Sequence, residues 1–139
     1  FTGDVLGSLR CDCGAQLTAA LKQIAQHGGV CIYAPQEGRG IGLAHKIEAY
    51  ALQDNGLDTV EANQHLGFEI DSRDYGVCAQ ILRHLGIDRI RLLSNNPLKV
   101  DGLQNYDIRV EERLSLSVKA NLFNEQYLKT KREKLGHAV

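Results

Sequence analysis

The sequence predicts an α/β fold, a layered α/β/α arrangement around a mixed sheet in a single domain over residues 1–139. Short runs of β-branched and aliphatic residues alternate with longer segments of helical periodicity. Glycine pairs and an Asn-Gly turn separate these segments, and no internal repeat or low-complexity linker divides the chain. A length of 139 residues is enough for one domain with a buried core.

The composition is ordinary for a globular protein, with 43% hydrophobic and 24% charged residues. A net charge of −1 provides no large basic field, so we expect no nucleic-acid partner. No apolar run approaches the roughly 20 residues that cross a bilayer, so we expect no membrane association. Four cysteines without paired spacing favour a reducing compartment, the cytoplasm. The chain has no methionine and opens on Phe1, from which we expect a piece of a longer protein.

Residues 1–33 are predicted to contain an extended segment, a helix and a strand. Residues 1–10 mix apolar and small side chains and are expected to be extended. Apolar residues recur at helical spacing over residues 15–26, and Gly28-Gly29 ends that helix. Residues 30–33 are rich in β-branched side chains and predict a short buried strand.

Residues 35–71 are predicted to hold a loop followed by two helices. Three glycines make residues 35–42 a loop, which leads into a helix over Leu43–Asp54. Asn55-Gly56 ends this helix. Residues 58–71 are less regular and are expected to contain a short helix after Asp58 or Thr59.

The next helix is predicted over residues 74–84. Asp74 is a suitable N-cap, and Gly86 closes the helix. Its apolar face is expected to consist of Val77, Ile81, Leu82 and Leu85.

The remaining residues are predicted to contain two strands and two helices. Strands are expected at Arg89–Leu93 and, where apolar and charged residues alternate, at residues 107–112. Residues 94–97 supply a cap and first turn for a helix through about Leu103. Residues 124–136 read as a charged surface helix with basic residues towards its C-terminus.

Two cysteines separated by one residue, Cys11 and Cys13, form a compact pair of soft ligands of the kind that Zn²⁺ prefers. The alternative is a pair of reduced thiols that happen to be close in sequence. A disulfide between them is disfavoured, because so short a ring conflicts with unstrained disulfide geometry. Further zinc ligands would have to come from Cys31, Cys78, a histidine or residues upstream of the chain.

Three loops could carry chemistry, and each also has a purely structural interpretation. Residues 36–42 combine glycines next to a helix start with Arg39, a combination suited to binding phosphate. The structural interpretation is a tight turn with a surface arginine. In residues 71–74, an acid and a guanidinium could act as base and phosphate handler, or form a capped turn. Residues 94–99 follow a strand, where α/β folds bind ligands, or simply start a helix.

The order of these motifs resembles that of GTP cyclohydrolase II, the entry enzyme of riboflavin biosynthesis. The resemblance covers essentially the whole chain, in residues 2–14, 36–42, 49–54, 58–63, 66–68, 71–75, 92–99, 124–128 and 135–137. The combination of these stretches is highly specific.

The resemblance implies hydrolysis of GTP to 2,5-diamino-6-(5-phosphoribosylamino)pyrimidin-4(3H)-one, formate and pyrophosphate. It implies one catalytic Zn²⁺ per subunit, Mg²⁺ with the GTP phosphates, and a homodimer. Three cysteines hold the zinc in this family; Cys11 and Cys13 match two of them, and the third belongs before Phe1. The alternative is a non-catalytic or partially active GTP-binding relative that has lost ring opening.

The resemblance also implies roles for individual residues. Asp71 matches the general base and Arg73 the nucleophile, for which an electrostatic clamp on phosphate is the conservative alternative because a free guanidinium stays protonated. Tyr50 matches a catalytic tyrosine. The positions that match GTP contacts are Gln16, Glu37, Gly38, Arg39, Thr59, Ser94 and Lys99.

The chain departs from the family pattern at several points. Ala34-Pro35 replace a common basic residue, and Ser94 replaces a common threonine while keeping its hydroxyl. The family's upstream segment, with the first zinc cysteine, is expected in a longer protein, such as one whose N-terminal half makes 3,4-dihydroxy-2-butanone 4-phosphate.

Overall fold

The computed structural model describes residues 1–69, 71–116 and 118–135. Within these ranges it contains six α-helices, one 3₁₀ turn and two β-strands. In chain order these are α1 (Cys13–His27), the 3₁₀ turn (Glu37–Gly40), α2 (Leu43–Asp54), α3 (Thr59–His65), α4 (Gly76–His84), β1 (Arg89–Leu93), α5 (Leu98–Gln104), β2 (Arg109–Leu114) and α6 (Glu125–Leu135). The predicted α/β class is confirmed.

The two described strands form a parallel sheet, joined by α5 in a β-α-β unit. The predicted mixed sheet is therefore wrong for the described residues, and the three-layer arrangement stays a prediction. The register pairs Ile90 with Val110 and then Arg91 with Glu112, which leaves Glu111 as a bulge. The carboxyl ends of both strands meet at one edge of the sheet, where α/β proteins bind ligands.

The core lies between α4, α5 and the sheet. Its buried centre consists of Ala79, Leu82, Leu103 and Ile108. The packing of α4 differs from the prediction, since Val77, Ile81 and Leu85 are exposed. Small Ala79 lets the helix approach the core closely, so the buried face is centred on Ala79 and Leu82 instead of the larger aliphatic residues.

Most predicted boundaries agree with the structure. Helix α2 and strand β1 have the predicted limits, and α3 begins after Asp58, whose side chain accepts from the Val60 and Glu61 backbone N–H groups. Helix α4 begins at Gly76 instead of residue 74, although Asp74 Oδ1 still accepts from the Gly76 N–H at 3.0 Å. The predicted end of the last helix, Gly136, lies outside the described residues.

Two of the predicted extended segments are wrong. Residues 30–33 pair with no strand among the described residues, and Val30, Cys31 and Tyr33 are exposed, although Ile32 packs against the core. A β-branched run becomes a strand only where a neighbour offers hydrogen-bonding groups. Residues 1–10 form turns instead of an extended segment, with the Val5 N–H donating to the Phe1 carbonyl.

In the described part of the chain, no helix is both long and apolar enough to cross a membrane.

Gly102 in α5 allows the Tyr75 ring to lie directly on the helix backbone. A Cβ at Gly102 would lie 2.4 Å from Tyr75 Cδ2, so we expect Gly102→Ala to lower the free energy of unfolding by about 1–3 kcal/mol through overpacking. Urea denaturation measures this loss. The control is Gln104→Ala, an exposed position on the same helix that should change stability by less than about 0.5 kcal/mol. Equal unfolding midpoints for the two variants would contradict the prediction.

Candidate functional site

A cavity of about 340 Å³ lies at the carboxyl end of β1 and extends to the cysteine turn. Loops and helices from distant parts of the sequence line it. It brings together most of the residues that the sequence singled out, namely Cys13, Gln16, Glu37, Gly38, Arg39, Tyr50, Thr59, Arg73, Ser94 and Lys99. The two remaining residues, Asp71 and Cys11, are hydrogen-bonded to lining residues. The predicted residues are therefore one spatial group, while their individual roles stay predictions.

The two cysteines of the turn interact directly. Cys11 is buried and Cys13 half-buried, and both are free thiols. The Cys13 thiol donates a hydrogen bond to the Cys11 sulfur, which lowers the pKa of Cys11 to about 6 and raises that of Cys13. A Cβ at Gly3 would lie 2.9 Å from Cys11 Sγ, so the N-terminal turns cover this sulfur closely.

This pair suits a soft metal ion, because one thiolate is already favoured and the second sulfur lies beside it. No cluster of three or more His, Cys, Asp or Glu side chains that could hold a metal ion occurs in residues 1–69, 71–116 and 118–135. Cys31 is exposed and Cys78 packs against the core, so neither completes the set. The donor chemistry of this cysteine pair therefore fits Zn²⁺, and the pair would supply two of the metal ligands.

Arg39 presents a buried cation to the cavity. Its Nη1 and Nη2 atoms are buried, and neither has a hydrogen-bond partner among the described residues. Buried guanidinium nitrogens are ordinarily paired, so these two atoms are available to donate hydrogen bonds to an anionic ligand. Arg39 also has a positive φ of 60°, a conformation that a side-chain-bearing residue adopts at a cost of about 1–3 kcal/mol.

Asp71 and Arg73 form a fork. Arg73 Nε donates to Asp71 Oδ1 at 2.7 Å, and Nη2 donates to Oδ2. Burial raises the pKa of Asp71, but the hydrogen bonds from Arg73 outweigh burial and hold it below its usual range. Burial lowers the pKa of Arg73, but the hydrogen bond to Asp71, together with nearby negative charge, outweighs burial and raises it, so the guanidinium stays protonated.

The two arginine-bearing loops are fastened to each other. The Ser72 N–H donates to the Arg39 carbonyl at 3.0 Å, and the Gln36 side chain makes two hydrogen bonds to the backbone of Asp74. A Cβ at Gly40 would lie 2.9 Å from the Ser72 carbonyl oxygen, so only glycine allows this approach. We name residues 36–40 and 71–74 the paired loops.

Residues 94–99 serve structure and cavity together. Ser94 Oγ accepts from the Asn96 N–H at 3.1 Å, and the Asn95 side chain bonds to the backbone of Leu116, so both residues hold the loop in place. They do not cap α5, whose N-cap residue is Pro97 and which has no side-chain capping hydrogen bond. Ser94 and Lys99 nevertheless line the cavity. Burial, reinforced by Arg73, lowers the pKa of Lys99, as expected for an ammonium that lacks enough negative charge nearby.

Tyr50 and Glu37 are connected through Lys46. The Tyr50 hydroxyl is buried and lacks a partner among the described residues, and burial raises its pKa. Lys46 Nζ lies 5.6 Å from the Tyr50 ring centre, donates to Thr2 Oγ1 at 2.7 Å and forms an ion pair with Glu37. Burial raises the pKa of Glu37, but the Lys46 interaction outweighs it and the pKa is lowered.

Among the lining residues that the sequence did not indicate are Lys46, Tyr127 and Lys131. Both lysines lie in helices rich in charge, where a lysine is ordinarily solvent-exposed, yet their side chains are only 11% and 7% exposed. The local pattern carries no signal for them. The prediction of a charged surface helix over residues 124–136 is wrong at Thr130 and Lys131, which are buried.

Fold and site together define a class: an α/β protein with a cavity lined by arginine and lysine side chains, beside a pair of free thiols whose donor chemistry fits zinc. The chain belongs to the GTP cyclohydrolase II family, since the family model of that description matches residues 1–115.

Curated relatives agree with this assignment. The chain is 56% identical to the riboflavin biosynthesis protein RibBA of Parabacteroides distasonis, over 99% of this chain and 34% of that protein. It is 59% identical to RibBA of Synechocystis sp., over 99% of this chain and 25% of that protein. The chain is 60% identical to RibBA of Bacillus mycoides, over 100% of this chain and 35% of that protein. The chain thus spans between a quarter and about a third of the length of these relatives.

Proposed function

We propose that the protein carrying this chain hydrolyses GTP to 2,5-diamino-6-(5-phosphoribosylamino)pyrimidin-4(3H)-one, formate and pyrophosphate, as a step of riboflavin biosynthesis. Family membership and the names of the relatives support this proposal. The observation that carries it is the cavity, where the unpartnered Arg39 guanidinium and the cations Arg73 and Lys99 converge beside the cysteine pair.

The cations suit the phosphate half of the reaction. Arg39 and Lys99 would bind triphosphate oxygens, and the phosphate charge would compensate for the buried Lys99 ammonium. Arg73 is held in a fixed direction by Asp71 and can stabilise charge that develops as pyrophosphate leaves. Because this fork keeps Arg73 protonated, we favour the electrostatic clamp over the nucleophile. The lowered pKa of Asp71 makes it a weak base, so orienting Arg73 is its main role in this scheme.

The thiol pair suits the ring-opening half. Cys11 and Cys13 would hold Zn²⁺, which when bound makes hydroxide available near neutral pH. The unpartnered Tyr50 hydroxyl is able to donate a hydrogen bond to the reacting base. Glu37 suits the guanine N–H edge, and substrate would have to share this carboxylate with Lys46. Gln16, Gly38, Thr59 and Ser94 are proposed to complete the substrate contacts.

Further parts of the proposal come from the family alone. They are Mg²⁺ with the GTP phosphates, a homodimer and an attached domain that makes 3,4-dihydroxy-2-butanone 4-phosphate. The proposed cytoplasmic location rests instead on the cysteine usage.

Product analysis tests the function. The full-length protein is incubated with GTP, Mg²⁺ and Zn²⁺, and the products are identified by mass spectrometry. Formate, pyrophosphate and the diaminopyrimidinone phosphate together are the expected result. Pyrophosphate with GMP would show that only the phosphate half operates, and intact GTP with measurable binding would support the non-catalytic alternative.

Arg39→Met is expected to raise the KM for GTP about 10–100-fold, because it removes a buried guanidinium from the phosphate oxygens while retaining much of the side-chain volume. Steady-state kinetics at two salt concentrations measures the effect, which should diminish at high salt as the remaining charge is screened. Arg91→Met, at an exposed position of β1, is the matched control and should leave the KM unchanged. Equal KM values for both variants would remove Arg39 from the binding site.

A further inference from the structure

A buried ion pair connects α6 to the residue between the two predicted zinc ligands. Lys131 Nζ lies 2.9 Å from Asp12 Oδ1, and the two side chains are 7% and 2% exposed. Asp12 Oδ2 accepts a hydrogen bond from Gln16 Nε2. Both oxygens of this carboxylate are therefore used, and they connect the cysteine turn to groups on two helices.

Asp12 does not make the capping hydrogen bonds that its position in the chain predicts. It is the N-cap residue of α1, where an aspartate ordinarily accepts from the first backbone N–H groups, but its side chain makes no capping hydrogen bond. The carboxylate is directed to Lys131 instead. A buried ion pair of this kind contributes little net stability, because desolvation offsets the attraction, so conformational specificity is the better explanation for it.

We propose that Lys131 is a positioning residue for the metal centre. By holding the Asp12 carboxylate, it fixes the turn between Cys11 and Cys13 so that both sulfurs face one metal ion. The Lys131 ammonium is itself held in direction, since its Nζ lies 4.9 Å from the Tyr127 ring centre. The inference rests on the zinc role proposed above and adds a residue outside the cysteine motif to it.

The neighbouring Lys134 provides a matched control. It lies on the same helix and pairs with Asp58 and Glu61 of the α3 capping box, with 44% of its side chain exposed. Lys134 thus contacts the α3 capping box, whereas Lys131 reaches the cysteine turn. Lys134→Met should disturb the packing of α6 on α3 without changing the metal ligands.

The test uses the full-length protein with Zn²⁺ and Co²⁺ as probes. Chelator competition is expected to show a Zn²⁺ Kd that is 10–100-fold weaker for Lys131→Met, about the loss seen when outer-shell partners of metal ligands are removed, and unchanged for Lys134→Met. The d–d bands of the Co²⁺-loaded protein should shift in Lys131→Met alone. Because both changes break one connection, Asp12→Asn combined with Lys131→Met should lose no more affinity than Lys131→Met. Circular dichroism of the metal-free proteins verifies folding.

The outcomes separate the two proposals. An unchanged Zn²⁺ Kd and Co²⁺ spectrum in folded Lys131→Met would overturn the positioning role and leave the zinc role intact. If Cys11→Ser left the Zn²⁺ affinity of the protein unchanged, the zinc role and this inference would both be overturned. Should Lys131→Met fail to fold, Asp12→Asn replaces it, since it removes the charge that Lys131 holds and retains an oxygen acceptor for Gln16.

Discussion

Cys11→Ser is expected to reduce formate release from GTP by more than about 10³-fold while pyrophosphate release continues. A serine hydroxyl is a poor ligand for Zn²⁺, and water without a metal ion ionises near pH 15.7 instead of about 7. The phosphate half should persist, because Arg73 is held by Asp71 on a different loop from the cysteines. GMP should accumulate as the second product.

Formate and pyrophosphate are quantified in the same reaction, together with the zinc content of each protein. Cys31→Ser is the control, since Cys31 is an exposed thiol that does not line the cavity. It should retain zinc and both activities. Formate release by Cys11→Ser at the wild-type rate would eliminate the thiol pair from ring opening.

Arg73→Ala is expected to slow pyrophosphate release by about 10³-fold, the scale on which a preorganised cation or hydrogen-bond donor acts in a transition state. Arg73→Lys should recover only part of this loss, because an ammonium cannot reproduce the two-point contact with Asp71. Formate release should fall in parallel if the phosphate step comes first. Rapid-quench measurements of pyrophosphate give both rates.

The same variants distinguish a clamp from a nucleophile. Under the clamp, quenched wild-type protein should contain no phosphorylated Arg73 peptide, and Arg73→Lys should retain measurable turnover. A phosphorylated Arg73 peptide, trapped most readily in Cys11→Ser, would establish the nucleophile instead. Arg91→Ala, on the exposed face of β1, should behave as wild type in every assay.

Local sequence patterns were sufficient where an element is defined by its own residues. Strand β1 and helix α2 are bounded by turn residues on both sides, and both have the predicted limits. The prediction of a strand at residues 30–33 is wrong because a strand also needs a partner, which no local pattern supplies. The predicted apolar face of α4 is wrong for a related reason, since packing against α5 and the sheet buries Ala79 instead of its larger neighbours.

The candidate site shows the same division. Arg39 lies in a glycine-rich loop, Arg73 in the loop before α4 and Lys99 in the helix that follows β1. Such loops and helix starts are recognisable in the sequence, and the fold collects them at one cavity. Lys46 and Lys131 are buried next to carboxylates from other elements, Glu37 of the 3₁₀ turn and Asp12 of the cysteine turn, which neutralise them. Such pairing is a property of tertiary structure and leaves no trace in helical periodicity.

The fastening of the paired loops has a consequence for recombination between relatives. Gln36 binds the backbone of Asp74, and Gly40 permits contact with Ser72, so the conformation of each loop depends on the other. A chimaera that imports residues 36–40 from a divergent homologue, but keeps its own residues 71–74, would join surfaces that were never shaped together. The smallest segment that can be exchanged here is thus discontinuous, and both pieces must be inherited together.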